Sequence, residues 1–160
     1  MHKLALSFAI ALLAASSAQA QDTVPAAQAQ TAMQRAERPS NPNALSEAEI
    51  KHRIAGAGYK EVKGLEFEDG VWRTKARGGN DHWVALLVAP VTGKVYEADA
   101  PSKLNADEIR AKLTAAGYQN ISDVEFEDGL WSAEADNTEG DEVELLVDPD
   151  DGSVVSSQQD

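Results

Sequence analysis

The feature that most constrains this chain is an internal repeat. Residues 45–99 align with residues 104–158 without a gap, at a constant offset of 59 positions, and 20 of the 55 aligned positions are identical. The identities include Gly58-Tyr59 against Gly117-Tyr118, and Glu66 to Gly70 against Glu125 to Gly129. A period of this length implies two copies of one small folding unit. Positions that agree then build the fold, and positions that differ are free to carry function.

Two unlike tracts precede the copies. Lys3, the apolar run Leu4 to Ala15 and the small residues of Ala18-Gln19-Ala20 have the layout of an export signal cleaved after Ala20. At about a dozen residues the run is too short to span a bilayer as a helix. Residues 21–43 are rich in Ala, Gln and Pro; they read as a flexible leader, helical near Ala26 to Glu37 and broken by Pro39 and Pro42. Such a tract serves as a tether or as a partner-binding segment. The expected organisation is thus a signal peptide (1–20), a leader (21–43), a first repeat (44–101) and a second repeat (102–160). The mature chain is expected in the periplasm or outside the cell, without a stable membrane anchor.

The chain has no cysteine, which excludes a disulfide scaffold, a thiolate nucleophile and a zinc–thiolate site. Each repeat must therefore be held by its core alone. The net charge is −13 and unevenly spread. Residues 43–101 hold eight basic and nine acidic side chains, whereas residues 102–160 hold three and sixteen. Nucleic acid and anionic membrane are poor partners for such a surface; cations and basic protein surfaces are not excluded.

Each copy opens with a punctuated helix. Ser46 and Glu49 are spaced as a capping box, with Leu45 and Ile50 as the hydrophobic staple; Asn105, Glu108, Leu104 and Ile109 repeat the arrangement. Gly58 and Gly117 stand where the helix ends in a left-handed residue. Ile50, Ile54 and Ala57 form one apolar stripe, as do Ile109, Leu113 and Ala116. A stripe of about three turns needs a sheet to cover it.

The sheet follows in sequence. Leu65 and Phe67 alternate with Glu66 and Glu68, and Asp69-Gly70 suits a two-residue hairpin turn. Phe67 then faces Trp72, Glu66 faces Arg73, and Trp72, Thr74 and Ala76 line the inner side. A third strand runs from about Trp83 to Val88, and Gly93 begins a last short extended piece. The run Trp83 to Val88 is apolar throughout, so its phase is ambiguous by itself. Its counterpart, Glu142-Val143-Glu144-Leu145-Leu146-Val147, removes the ambiguity, because two glutamates are not buried beside an apolar core. Val143, Leu145 and Val147 point inward, hence so do Val84, Leu86 and Val88, and Trp83 points outward. The expected fold is α+β: two tandem units, each one helix on a three-stranded antiparallel sheet.

A capped helix ending in Gly-Tyr, then Glu-Phe-Glu-Asp-Gly-x-Trp and a strand closing on Asp148-Pro149-Asp150-Asp151-Gly152-Ser153-Val154, resembles the PepSY family across residues 44–160. These are small modules of peptidase propeptides and of many secreted bacterial proteins. The resemblance implies a helix packed on an antiparallel sheet, and a role in restraining peptidases or binding other exported proteins. The first copy departs from it where Ala89-Pro90-Val91-Thr92 replaces the acidic corner.

Catalytic residues are not expected. His52 and His82 have Ala111 and Asp141 as counterparts, and no nucleophile elbow, phosphate loop or metal-ligand histidine pair occurs. The copies differ most on the outer sheet face. The first presents Arg73, Lys75, Arg77, Trp83, Ala85 and Leu87; the second presents Ser132, Glu134, Asp136, Glu142, Glu144 and Leu146. An outward Trp among basic side chains suits recognition of a protein or an anionic group, which makes Arg73, Lys75, Arg77 and Trp83 the candidate partner-binding residues. Three readings of that face remain open: a partner surface, a merely solvated one, or two faces of opposite charge that meet within the chain or between chains.

The functional expectation is an exported, non-enzymatic protein-binding module without a cofactor, whose partner is another exported or envelope protein such as a peptidase. The alternative is a divalent-cation-binding protein using Asp148, Asp150 and Asp151. That corner lacks the EF-hand spacing and equally suits an acidic turn.

Overall fold

The computed structural model describes residues 41–159. The expected export signal, and the leader as far as residue 40, lie outside the described residues. The first repeat consists of α1 (Glu47–Gly56), β1 (Val62–Glu68), β2 (Val71–Arg77), β3 (Trp83–Val88) and β4 (Val95–Glu97). The second consists of α2 (Ala106–Ala115), β5 (Gln119–Glu127), β6 (Leu130–Asp136), β7 (Glu142–Val147) and β8 (Val154–Gln159). Each repeat forms its own antiparallel sheet, in the orders β1-β2-β3-β4 and β5-β6-β7-β8.

Both helices carry the caps their sequences specify. Ser46 and Asn105 accept from the backbone of Glu49 and Glu108, whose carboxylates accept in return from the cap backbone. That bond holds the Glu49 carboxyl below its usual range, the Ser46 side chain acting first and its backbone second. At the other end, Gly58 and Gly117 adopt φ of 98° and 102°, and the amides of Tyr59 and Tyr118 reach back to Ile54 and Leu113. This closes a Schellman motif in each copy. The apolar stripe is narrower than expected. Ile50, Ile54, Ile109 and Leu113 are fully buried, but Ala57 and Ala116 are exposed, because the helix already turns away at its C-cap.

The hairpin register agrees with the alternation in the sequence. Asp69-Gly70 forms the turn with positive φ at both residues, Phe67 pairs with Trp72, and Glu66 pairs with Arg73. Leu86 and Val88 lie in the core with Ile50, Ile54, Trp72 and Ala76, and Val84 packs against them. Val143, Leu145 and Val147 do the same around Ile109 and Leu113.

The three-stranded expectation is corrected to four. The short extended piece after Gly93 is a true strand: Val95, Tyr96 and Glu97 pair with Val88, Leu87 and Leu86. A turn closed by bonds of Ala89 N to Lys94 O and Gly93 N to Ala89 O reverses the chain. Without β4, the outer backbone of the buried Leu86 to Val88 segment would lack hydrogen-bond partners. In the second copy, β8 pairs along β7 from Val143 to Val147. At the preceding corner both copies have a proline, and its carbonyl accepts from the helix lead-in: Pro90 O from Leu45 N, and Pro149 O from Leu104 N.

The repeats meet back to back. Val71, Leu87, Ala89, Tyr96 and Leu130 form a third buried cluster, with Ala98, Leu146 and Val155 against it. These side chains come from the sheet faces opposite the helices, so Leu87 is covered by the second repeat rather than by solvent. The hairpin tips seal the joint: Gly70 lies against Ser156 of β8, and Gly129 lies against Glu97 and Ala98 at the end of β4.

Candidate functional site

The docking of the repeats divides the outer face of the first sheet in two. Beside the hairpin tip, Arg73 donates to Asp69 of its own turn and to Asp128 of the other repeat, both at 3.3 Å. One basic side chain of this face thus pairs with a turn residue of the other repeat, Asp128, and not with the acidic outer-face residues Glu134, Asp136, Glu142 or Glu144. Further from the tip the face is open. Arg77 lies opposite Trp83 across β2 and β3, but its guanidinium turns aside to Glu61 at 3.2 Å and Asp81 at 3.6 Å. Lys75 lies opposite Ala85 and is exposed. Trp83 is 40% exposed and, with Val91, one of two large apolar side chains that the described residues leave exposed.

One member of this patch escaped the sequence reading. Lys63 pairs with Lys75 across β1 and β2, and its Nζ sits 4.3 Å from the centre of the Trp83 ring. A register shift between Lys63 and Glu66, with Gly64 at φ 62°, brings it onto this face. The lone Gly inside a strand pattern was the available signal for that bulge. The open patch is thus Lys63, Lys75 and Trp83. At the equivalent positions the second sheet presents Ser122, Glu134 and Glu142.

The acidic corner has a different occupation. Asp148 is 2% exposed. Its Oδ2 accepts from the Tyr96 hydroxyl at 2.8 Å and from Lys94 Nζ, and its Oδ1 accepts from the Asp150 amide at 2.8 Å. Asp150 pairs with Lys94 at 3.1 Å and Lys103 at 3.0 Å, and Asp151 accepts from the Ser153 amide at 2.8 Å. Burial, and then the bond to Asp148, push the Tyr96 hydroxyl well above its ordinary range. The three carboxylates proposed as metal ligands are therefore committed to lysines, a tyrosine and turn amides. Among the described residues no group of three or more His, Asp or Glu is arranged to hold a metal ion. Calcium titration followed by calorimetry is expected to give no heat at millimolar ion; saturable heat abolished by Asp150→Asn would contradict this account of the corner.

The same corner predicts an acid limb of stability. The lysine bonds, Lys103 first and Lys94 second, hold the Asp150 carboxyl below its usual range, and Ser153 does so for Asp151. A carboxyl with a depressed folded pKa contributes stability above its unfolded value, near 3.9 for Asp, and loses it as pH falls through the folded value. Tm is expected to be level near neutrality and to fall below about pH 4. Asp150→Asn should lower the neutral plateau and flatten part of that fall; a parallel fall in both proteins would separate Asp150 from it.

His52 lies on the exposed side of α1 and His82 in the exposed turn before β3. The structure does not bring them together with a nucleophile. No helix of the described residues is long and apolar enough to cross a membrane.

No curated protein and no solved structure matches the chain significantly. Residues 96–158 match the family model described as peptidase propeptide and YPEB domain. The match begins in β4, takes in α2 and β5 to β7, and ends within β8, so it covers the second repeat and not the first. With its capped helix on an antiparallel sheet, the second repeat is similar to that family over the matched residues.

Proposed function

We propose that this protein is an exported, non-catalytic binding module that restrains a peptidase or another envelope protein. In this reading both repeats are copies of one PepSY-type unit with divided tasks. The second, acidic copy braces the first through Arg73, Lys94 and Tyr96, and the first copy contacts the partner. The observation that carries the proposal is the exposed Trp83, with Lys63 over its ring and Lys75 beside it, at positions where the family-matched copy has Glu142, Ser122 and Glu134. An aromatic anchor ringed by basic side chains is the composition of an interface centre for an acidic partner surface. Arg73 and Arg77, grouped with Trp83 on sequence grounds, support this face from its edges through their ion pairs.

The test is affinity capture from periplasmic extract with the wild-type protein, Trp83→Ala and Lys75→Glu. Truncating an interface aromatic typically costs about 2 kcal/mol, so recovery of the captured protein is expected to fall at least about tenfold with Trp83→Ala. Equal recovery by both variants and the wild type would overturn the assignment of this face.

A further inference from the structure

The helix side of the first sheet holds a second feature, independent of the Trp83 face. Trp72 and Trp131 are equivalent core residues, each packed at a steep angle against the Phe before its turn, with ring centres 5.4 and 5.3 Å apart. Their indole N–H groups differ. Trp131 Nε1 donates to Ser102 Oγ at 2.8 Å, and that hydroxyl is shared with the carbonyls of Leu104 and Pro149. Trp72 is 4% exposed and its Nε1 has no hydrogen-bond partner among the described residues. The residue at the Ser102 position in the first repeat is Asn43, which is exposed and donates its own amide to the Asn41 side chain. A buried N–H left unpaired costs about 1–3 kcal/mol, so the site favours whatever brings an acceptor.

Trp72 also lines a groove of about 1070 Å³ between the start of α1 and β1. Leu45, Leu65, Phe67 and Trp72 form its apolar floor. One wall is β1, an edge strand whose outer row of backbone groups has no partner strand among the described residues. Glu66 and Glu68 alternate with the floor residues along that edge, and their carboxylates form no ion pair among the described residues. A strand added at β1 would place alternate side chains over the floor and the others opposite the two glutamates.

We propose that this groove takes an extended segment of a partner protein with alternating apolar and basic residues, paired to β1 and supplying the acceptor that Trp72 Nε1 lacks. The second repeat does not offer this site, because Ser102 already answers its indole. The groove lies on the opposite side of the sheet from Trp83, so the two surfaces act separately.

The test titrates the nitrogen-15-labelled protein with an acetylated, amidated hexapeptide alternating valine and lysine, observed at the three indole N–H resonances. Expected is a saturable movement of the Trp72 resonance with Trp131 unmoved. Asn43→Ser, which restores the hydroxyl found in the second repeat, should weaken binding about fivefold or more. Trp83→Ala should leave it unchanged, which separates this site from the partner face. An unmoved Trp72 resonance at millimolar peptide, or equal binding of a valine–glutamate hexapeptide, would overturn the proposal. So would contacts in the free protein from the Trp72 indole to residues 21–40, or a shift of that resonance with protein concentration alone. The first would give the groove to the chain's own leader, the second to another copy.

Discussion

Gly129→Ala is expected to destabilise the protein by about 3 kcal/mol and to lower Tm by roughly 10 °C. Gly129 has φ 80°, where a side chain costs about 1 kcal/mol. A Cβ there would stand 2.4 Å from Glu97 O, 3.1 Å from Glu97 C and 3.2 Å from Ala98 Cα. All three atoms are backbone, so no rotamer change relieves the clash, and the hairpin must withdraw from β4. Withdrawal also loosens the adjacent Leu130 in the joint between repeats, the overpacking situation worth about 1–3 kcal/mol. Two controls divide these contributions. Gly70→Ala meets only side-chain atoms, Ser156 Oγ at 2.0 Å and Gln158 Nε2 at 2.7 Å, which can swing aside. Gly58→Ala meets open space at φ 98° and reports the conformational strain alone. Urea unfolding should rank the losses Gly129 over Gly70 over Gly58. A Gly129→Ala loss no larger than that of Gly58→Ala would mean that the tip does not press on β4.

The parts of this fold that follow local rules were legible in the chain. The caps, the Asp69-Gly70 turn and the inward phase of Val84, Leu86 and Val88 each depend on residues a few positions apart, or on comparison of the two copies. The fourth strands were not legible as strands. Val95 to Glu97 is three residues long, and Ser156 to Gln159 has no apolar side chain; what makes them strands is the unpaired edge of β3 and β7, a tertiary demand. The candidate face was half legible. Alternation put Arg73, Trp83 and Leu87 on one side, but period 2 says nothing about what covers that side. Only the docking of the second repeat buries Leu87, partly covers Arg73 and leaves Lys75 and Trp83 open. Likewise the replacement of Asp148 by Ala89 was visible as a difference between copies, while its cause, a lysine and a tyrosine from the other repeat, was not.

Asp148→Ala makes the second copy read as the first at that position, and it is expected to cost about 3 kcal/mol. Three losses combine. The Tyr96 hydroxyl, buried against the joint, loses its acceptor; Lys94 keeps only Asp150; and the amide of Asp150 loses the turn bond. Lys94 is partly exposed and can turn to water, so the loss falls below that of a fully buried ion pair. Asp148→Asn leaves a single acceptor oxygen, enough for the turn bond or for Tyr96 but not for both, and should cost less than Asp148→Ala. Tyr96→Phe removes the hydroxyl and leaves Asp148 its lysine, at about 1 kcal/mol. Because Tyr96 and Lys94 share Oδ2 of Asp148, the losses should not add: a cycle over Asp148→Ala and Tyr96→Phe is expected to give a coupling of about 1 kcal/mol. The joint is also where the folding of one repeat is linked to that of the other. The wild type is expected to unfold in a single transition, and weakening the joint should broaden it or split it in two. Strict additivity with an unchanged single transition would place the linkage elsewhere, in the apolar cluster of Val71, Leu87 and Leu130 alone.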